Sequence, residues 1–582
     1  MSFKSLIDEI ENNIHKILDD LSVSGILFSV EPAKPGFGDV SSNVSFLLAK
    51  HLKKNPKDVA DILSEKYRQF SSTLVSNVES HPSGYLNFFA NWEKLNQLIL
   101  SESNLDEFGS VDLGKNSTIV VEHTSVNPNK ALHIGHIRNI VLGDIIAKIL
   151  KKSNYKVNIL NYVDDSGLQV ADIIVGFRHF GFSQQPPQGK KFDHYCGDDV
   201  YVKTTEKYEN DPSLEEIRKN ILKELEDGNS EIAQFADKIT RRVLENQLET
   251  CWNLGVYYDC LNFESQIIRS GLWGKIFEKL KEMSLIEFEN EGKNIGCWVI
   301  RGENAEEDKV IVRSNGTATY IAKDIPYAAW KLGLLEDPFN YQKYDKIQPG
   351  NHILWQTTLV DSVEPKQNFT GKKVITVIDS RQARLQKIIT TLMSKFKSTE
   401  DAYVHLGYES VTLSADTAQT LGLNTDGKQA QMSGRKGLYV NADSVYDLLK
   451  NKIIEETTKR HPEMADYEIE KIAHHVSVGT LRYEMIKQDL DKIITFDLTK
   501  SLSLEGDTAP YIQYSYARAS RIIEKSTRTP SIDVDFSLLN DLSELELIKT
   551  IGLFDIHVMD AAKNLSPKVI ARYCHDLAVA FN

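Results

Sequence analysis

Between residues 118 and 161 the spacing of apolar positions changes its period twice. Ile119, Val120 and Val121 form an unbroken apolar run that ends at Glu122, the pattern of a strand buried on both faces. From Ile134 to Leu150 the apolar residues Ile137, Ile140, Val141, Ile145, Ile146 and Ile149 recur at helical spacing, and Lys156 to Asn161 returns to a strand pattern. A strand, a helix and a second strand in this order predict a β-α-β unit of an open parallel sheet. Such sheets bind nucleotides where a helix begins beside the carboxyl ends of the strands. The sheet is expected to resume at Val310–Arg313, to turn into a helix from Gly316 to Tyr327, and to add a strand at Lys373–Asp379 followed by a helix from Ser380.

Other stretches carry different patterns. Residues 1–114 combine a helix over Ser5–Leu21, an apolar helix over Val44–Lys53, a helical stretch from Pro56 and an alternating run at His81–Ala90, which reads as a small α/β domain. From residue 181 to about 300 the strands give way to long charged helices, strongest over Ser213–Thr250. This reads as an insertion between two halves of a nucleotide fold. Beyond Val440 the chain is helical, over Ser444–Lys459, Asp466–Leu481, Leu538–Ala561 and Pro567–Phe581.

A chain of 582 residues exceeds one hydrophobic core, so three or four domains are expected. The net charge of −14 advertises no nucleic-acid partner for the molecule as a whole, although a local basic face can serve one. Cys196, Cys251, Cys260, Cys297 and Cys574 show no C-x-x-C spacing, which argues against a zinc ribbon or a disulfide framework. The first residues form an acidic amphipathic pattern, with neither a secretion signal nor a membrane span. A cytoplasmic protein is expected.

The predicted turn before the first helix holds Lys130, His133, Gly135 and His136. Two imidazoles three residues apart at a helix start share one face and can donate to phosphates, with Lys130 adding a mobile charge. A surface histidine pair or two zinc ligands are equally open from the residues alone, though the glutamate of a His-Glu-x-x-His zinc motif is missing. Asp164 and Asp165 fall at a strand end, where ligands bind and where carboxylates also cap helices. Tyr320 and Asp324, four apart, share a helical face. They suit a guanidinium pocket, although the residues alone favour a capping aspartate with a core tyrosine.

Taken with Glu122, Ser125, Asn127 and Asn129, the string through Lys130, His133 and His136 resembles the ATP-binding signature of class I aminoacyl-tRNA synthetases. It is most similar to the arginyl-tRNA synthetase family in its archaeal-like form. The resemblance runs over nearly the whole chain. It implies an α/β fold with a Rossmann-type catalytic domain at 115–438, a connective insertion at 181–300, an N-terminal tRNA-contacting module at 1–114 and an all-helical anticodon-binding domain at 439–582. The segments Phe37–Asn43 and Gly84–Phe88 carry the likeness to the N-terminal module. The last domain stops at Asn582 inside a motif that in the family continues, so it is expected to be truncated.

The implied roles follow. His133 and His136 contact the ATP phosphates, with Lys130 compensating for a lysine missing from the second signature loop. That loop, Gln431 to Gly437, reads QMSGRKG where the family pattern is Lys-Met-Ser-Lys-Ser. Asn129, Gly135, Met432, Ser433, Arg435 and Lys436 complete the ATP site. Glu122, Ser125, Asn127, Asp165, Tyr320, Asp324 and Gln382 are expected to bind arginine, and Tyr511, Gln513, Tyr514 and Arg518 to meet unpaired tRNA bases. ATP with its Mg²⁺, L-arginine and tRNA(Arg) are the implied partners of an arginine–tRNA ligase, expected as a monomer with no membrane partner. The alternatives are another class I synthetase such as the glutamyl type, and a tRNA-binding protein with a decayed catalytic domain.

Overall fold

The computed structural model of the protein describes residues 2–34, 36–208, 211, 213–302, 308–423, 430–431, 440–527, 531 and 534–582. They form two compact units. One comprises Met1–Leu113, Tyr514–Asn564 and Val569–Asn582, and the other Gly114–Gln513 with Leu565–Lys568.

In the first unit a four-stranded antiparallel sheet runs in the order Val30–Pro32, Val40–Ser42, Leu86–Ala90, Val75–Ser80. The helix Ser2–Asp20 lays Ile10 and Ile14 into a core shared with Leu48, Phe88 and Ile99. Ile548 and Ile556, from the C-terminal helices, enter the same core, so the two ends of the chain bury apolar surface together. The helix expected over Leu538–Ala561 is two helices, Leu542–Gly552 and Phe554–Asn564. Gly552 marks the break: a Cβ there would stand 2.5 Å from Ile99 Cδ1, so the close approach to that core requires glycine. The segments 440–513, expected to belong with the C-terminal helices, group instead with the second unit.

The second unit is built on a seven-stranded sheet. In chain order its elements are β1 (Thr118–Glu122), α1 (Ile134–Lys152), β2 (Lys156–Val163), α2 (Leu168–Arg178), β3 (Cys260–Phe263), α3 (Tyr320–Lys331), β4 (Asn340–Lys343), β5 (Trp355–Thr358), β6 (Lys373–Asp379), α4 (Ala383–Lys397) and β7 (Tyr403–Tyr408). The strand order is β4-β5-β3-β2-β1-β6-β7, parallel throughout except for the edge strand β4. Chain direction across the sheet reverses between β1 and β6, and such a switch point opens a crevice at the strand ends.

Two elements differ from expectation. The strand at Lys309–Val312 belongs to a separate three-stranded antiparallel sheet with Trp298–Ile300 and Glu287–Phe288. The missing central strand is β3, inside the span expected to be an insertion. It is four residues long and buried at every position, so it offers neither alternation nor length as a sequence signal. No helix among the described residues is long and apolar enough to cross a membrane.

Candidate active site

A cavity of about 860 Å³ opens at the carboxyl ends of β1, β2 and β6 and the start of α1. Its two ends differ in chemistry.

At the first end, α1 begins with His133 as its N-cap and His136 in its first turn. The backbone N–H of His136 donates to His133 Nδ1 at 3.3 Å, and that of His133 donates to His136 Nδ1 at 3.2 Å. Both Nδ1 atoms are therefore acceptors, which places the proton of each neutral ring on Nε2. The rings stack with centroids 3.5 Å apart and an interplanar angle of 17°. Burial, with the nearby charges of Lys130 and Arg381, lowers His133 to about 3 and holds His136 well below the usual imidazole range. At neutral pH this is a pair of uncharged N–H donors. Gly135 is fixed by the same packing, since a Cβ there would lie 2.9 Å from His133 Cε1.

Lys130 is 8% exposed, with its ammonium 5.0 Å from the centroid of the Tyr201 ring. Burial lowers its pKa to about 8. Beside it, Asn129 has both side-chain amide atoms buried without a hydrogen-bond partner, a costly arrangement that a ligand would relieve. Arg381 also borders this end, holding Asp379 through two bonds of 2.8 Å. Both Arg381 and the expected Gln382 line the cavity. Met432, Ser433, Arg435 and Lys436 lie outside the described residues. Gln431 is described only in its backbone, which pairs with the strand Val411–Leu413. Just after this loop, Ile134 N–H donates to Val440 O at 3.2 Å and Ala442 N–H to Leu132 O at 2.8 Å, so the segment leaving the loop is stitched to the start of α1.

The other end is rich in carboxylates: Glu122, Asp164, Glu264 and Asp324 line it. Asn127 donates to Asp164 Oδ2 at 2.6 Å, and Ser125 Oγ donates to Glu122 Oε1 at 3.2 Å. Asp164 Oδ1 is buried without a partner. The Asp324 carboxylate lines the cavity from within α3. Burial first, and the charge of Glu264 next, raise Asp324 to about 7 and lift Asp164 well above the usual carboxylate range. Asp165 points elsewhere. It accepts the backbone N–H and hydroxyl of Ser265 at 2.9 and 2.6 Å, and so anchors the helix that follows β3, while its neighbour Asp164 faces the cavity. The side chain of Tyr320 lies outside the described residues. Glu122 has a partner that the sequence did not suggest: the buried ammonium of Lys331 bonds its Oε2. Glu264 and Lys331 are the residues of this end missed by sequence reasoning.

Thr124 and Ser125, which connect β1 to the signature turn, both have positive φ, 74° and 47°. For a β-branched residue this is strained backbone, held only where its surroundings fix it. Asn139 of α1 does so, accepting the Thr124 N–H while donating to Val377 O at 2.7 Å and Tyr408 Oη at 3.1 Å. Asn161 accepts the Ser125 N–H at 3.2 Å.

Among the described residues, Asp193, His194 and Asp443 are spaced as metal ligands. The Lys191 ammonium already stands 2.7 Å from Asp443, so an ion pair fills that position. Of the residues expected to meet tRNA, Tyr511 and Gln513 belong to the second unit and Tyr514 and Arg518 to the first. Gln513 donates to His475 O at 3.1 Å and packs on Gly479, which makes it a link between helices. Tyr514 is exposed, and Arg518 donates to Asn582 Oδ1 at 3.1 Å.

The family described as tRNA synthetases class I (R), catalytic domain, matches residues 95–338. The arginyl tRNA synthetase N terminal domain matches 4–90, and the DALR anticodon binding domain matches 512–582. Sheet, switch-point cavity and these matches define a class I aminoacyl-tRNA synthetase. An arginine–tRNA ligase of Thermococcus sibiricus is 34% identical over 590 residues, covering 96% of this chain and 88% of the relative. One from Thermus thermophilus is 33% identical over 98% of this chain and 90% of the relative. The solved Thermus thermophilus arginyl-tRNA synthetase superposes with a TM-score of 0.82 at 31% identity, over 99% of this chain and 91% of that one. The chain belongs to the arginyl-tRNA synthetase family.

Proposed function

We propose that this cavity joins L-arginine to ATP and then to tRNA(Arg). The arginine carboxylate attacks the α-phosphorus, forming arginyl-adenylate and releasing diphosphate. The 2′-hydroxyl of the terminal adenosine of tRNA then attacks the acyl carbon and releases AMP. No side chain serves as a nucleophile; the protein aligns the reactants and meets the charge that develops.

The residues divide by their end of the cavity. His133 and His136 donate through Nε2–H to ATP phosphate oxygens, Lys130 adds the positive charge, and Asn129 gains the partners that its buried amide lacks. Gly135 leaves the nucleotide room against the backbone. From the second signature loop, Met432, Ser433, Arg435 and Lys436 complete the ATP site. Mg²⁺ enters on the ATP oxygens and its own waters, a coordination that requires no all-protein cage. At the other end Asp324, Tyr320 and Glu122 receive the guanidinium, while Ser125, Asn127 and Gln382 hold the amino-acid head. Asp164 and Glu264 extend the negative field. Residues 1–113 and the C-terminal helices, with exposed Tyr514 among them, meet tRNA, and the protein works as a cytoplasmic monomer.

The carrying observation is the contrast between the two ends, uncharged N–H donors facing one and four carboxylates lining the other. An anionic amino acid such as glutamate would be repelled from the second end, which disfavours a glutamyl enzyme. ATP–diphosphate exchange measured across the amino acids, with and without total tRNA, tests the proposal. Exchange is expected with arginine alone and only in the presence of tRNA. Exchange driven by lysine or glutamate and not by arginine would overturn it.

A further inference from the structure

The arginine end contains a cation that belongs to the protein. Lys331 lies seven residues after Asp324 on α3, and Tyr327 lies between them, so helical spacing puts all three on one face. The Lys331 side chain is 1% exposed. Its ammonium bonds Glu122 Oε2, donates also to Tyr403 Oη at 3.3 Å, and stands 4.3 Å from the centroid of the Tyr327 ring. An ammonium buried this deeply is retained only where it is paired.

We propose that Lys331 is a positioning residue for arginine: paired with Glu122 at the floor of the pocket, it sets the charge balance that leaves Asp324 ionised to meet the guanidinium. The inference rests on the reading of this cavity as an arginine site.

The groups facing Asp324 come from every element around it. They are Glu122 from β1, Tyr162 and Asp164 from the end of β2, Glu264 from the segment after β3, Lys323, Tyr327 and Lys331 from α3, and Tyr403 from β7. The balance is acidic. Of the two lysines, Lys323 is partly exposed and turned to Glu226 at 2.6 Å, so its charge is shared with solvent and with a carboxylate outside the pocket. Lys331 is the fully buried cation of this end among the described residues. Like charges crowded together do not all ionise; one takes up a proton. Deleting Lys331 leaves Glu122 as an unbalanced neighbour of Asp324, and the proton then goes to the cluster just where the guanidinium needs a carboxylate. A merely structural lysine would not move the titration of substrate binding.

The test is ATP–diphosphate exchange with tRNA present, read as kcat/KM for arginine between pH 6 and 9.5. In Lys331→Met the acid limb is expected to move up by about one pH unit or more, so that KM for arginine rises about fivefold or more at pH 7 and recovers at pH 9. KM for ATP is expected to stay within about twofold. The same effect is read from Lys331→Gln, whose amide keeps a hydrogen-bond donor beside Glu122 without the charge. The limb is expected to rise likewise by about a unit in this variant, which also serves if Lys331→Met fails to fold. A limb that stays put in both comparisons, while wild type activates arginine, overturns the role of Lys331 alone. A wild type that activates a different amino acid overturns the arginine reading and this inference together.

Discussion

Lys130 offers the most direct test of the phosphate end. In the free protein its ammonium is buried against Tyr201, and burial lowers its pKa to about 8. Below 8 the lysine is protonated and attracts phosphate, and above 8 it loses that charge, so about nine-tenths is charged at pH 7 and about one-tenth at pH 9. A cation about 4 Å from a phosphate charge has a gross attraction of about 4 kcal/mol at an effective dielectric constant of 20. Net of desolvation, a charged hydrogen bond contributes about 1.5–3 kcal/mol, or roughly 10- to 150-fold in kcat/KM. Because kcat/KM reports ionisation of the free enzyme, its value for ATP in the exchange reaction is expected to fall above about pH 8, toward a floor 10- to 150-fold lower. Lys130→Ala should sit at that floor at every pH, while Gln431→Ala should lose far less. Lys130→Arg, whose guanidinium does not deprotonate, should keep its phosphate contact and lose the alkaline limb. Refutation would be an unchanged limb in Lys130→Arg, or a Lys130→Ala variant with wild-type kcat/KM at pH 7.

Three further outcomes are expected. With Asp324 raised to about 7, wild-type kcat/KM for arginine should fall as pH drops from 8 to 6, because the carboxylate is lost on protonation; Asp324→Asn should be flat and roughly 100-fold lower, and a persistent limb there would move the titration to another group. Asp165→Ala should lower stability by about 1–3 kcal/mol in denaturant unfolding, through the lost Ser265 bonds, and leave KM for arginine within about threefold; a large KM effect without destabilisation would return Asp165 to the pocket. Asn139→Ala orphans the Thr124 N–H and the Val377 carbonyl and is expected to cost about 2–5 kcal/mol, with kcat reduced more than either KM; a loss below about 0.5 kcal/mol would show that the strained turn is held by other contacts.

What the sequence made legible is what short-range periodicity encodes. The β1-α1-β2 unit, the histidine pair at the helix start and the helix that carries Asp324 all depend on residues within a few turns of one another. The central strand β3 did not show, because four buried residues carry no period. Lys331 did not show either. At the last turn of α3 it has the sequence signature of a cation placed on a helix dipole, and only folding brings it to Glu122, 209 residues away. Glu264 enters the cavity through the same long-range packing. The arginine role expected of Asp165 fits Asp164 instead, for a different reason: adjacent residues leave a strand end in different directions, and which one faces the crevice is decided by Ser265 capturing the second.

The state of the two histidines bears on how the site accelerates its reaction. Two imidazolium groups would hold ATP tightly from the start, and attraction equal in the ground and transition states does not raise kcat. Here burial, with Lys130 and Arg381 nearby, keeps both rings neutral, while the reciprocal Nδ1 contacts leave each remaining N–H on Nε2. A neutral donor gains most when negative charge builds on the oxygen that it faces. On the assignment of these rings to the phosphates, that build-up comes as the arginine carboxylate closes on the α-phosphorus. Long-range attraction for ATP then falls to Lys130 and stabilisation of the reacting phosphate to the histidines. Replacing either ring by a permanently charged side chain should therefore tighten ATP binding and still slow the exchange.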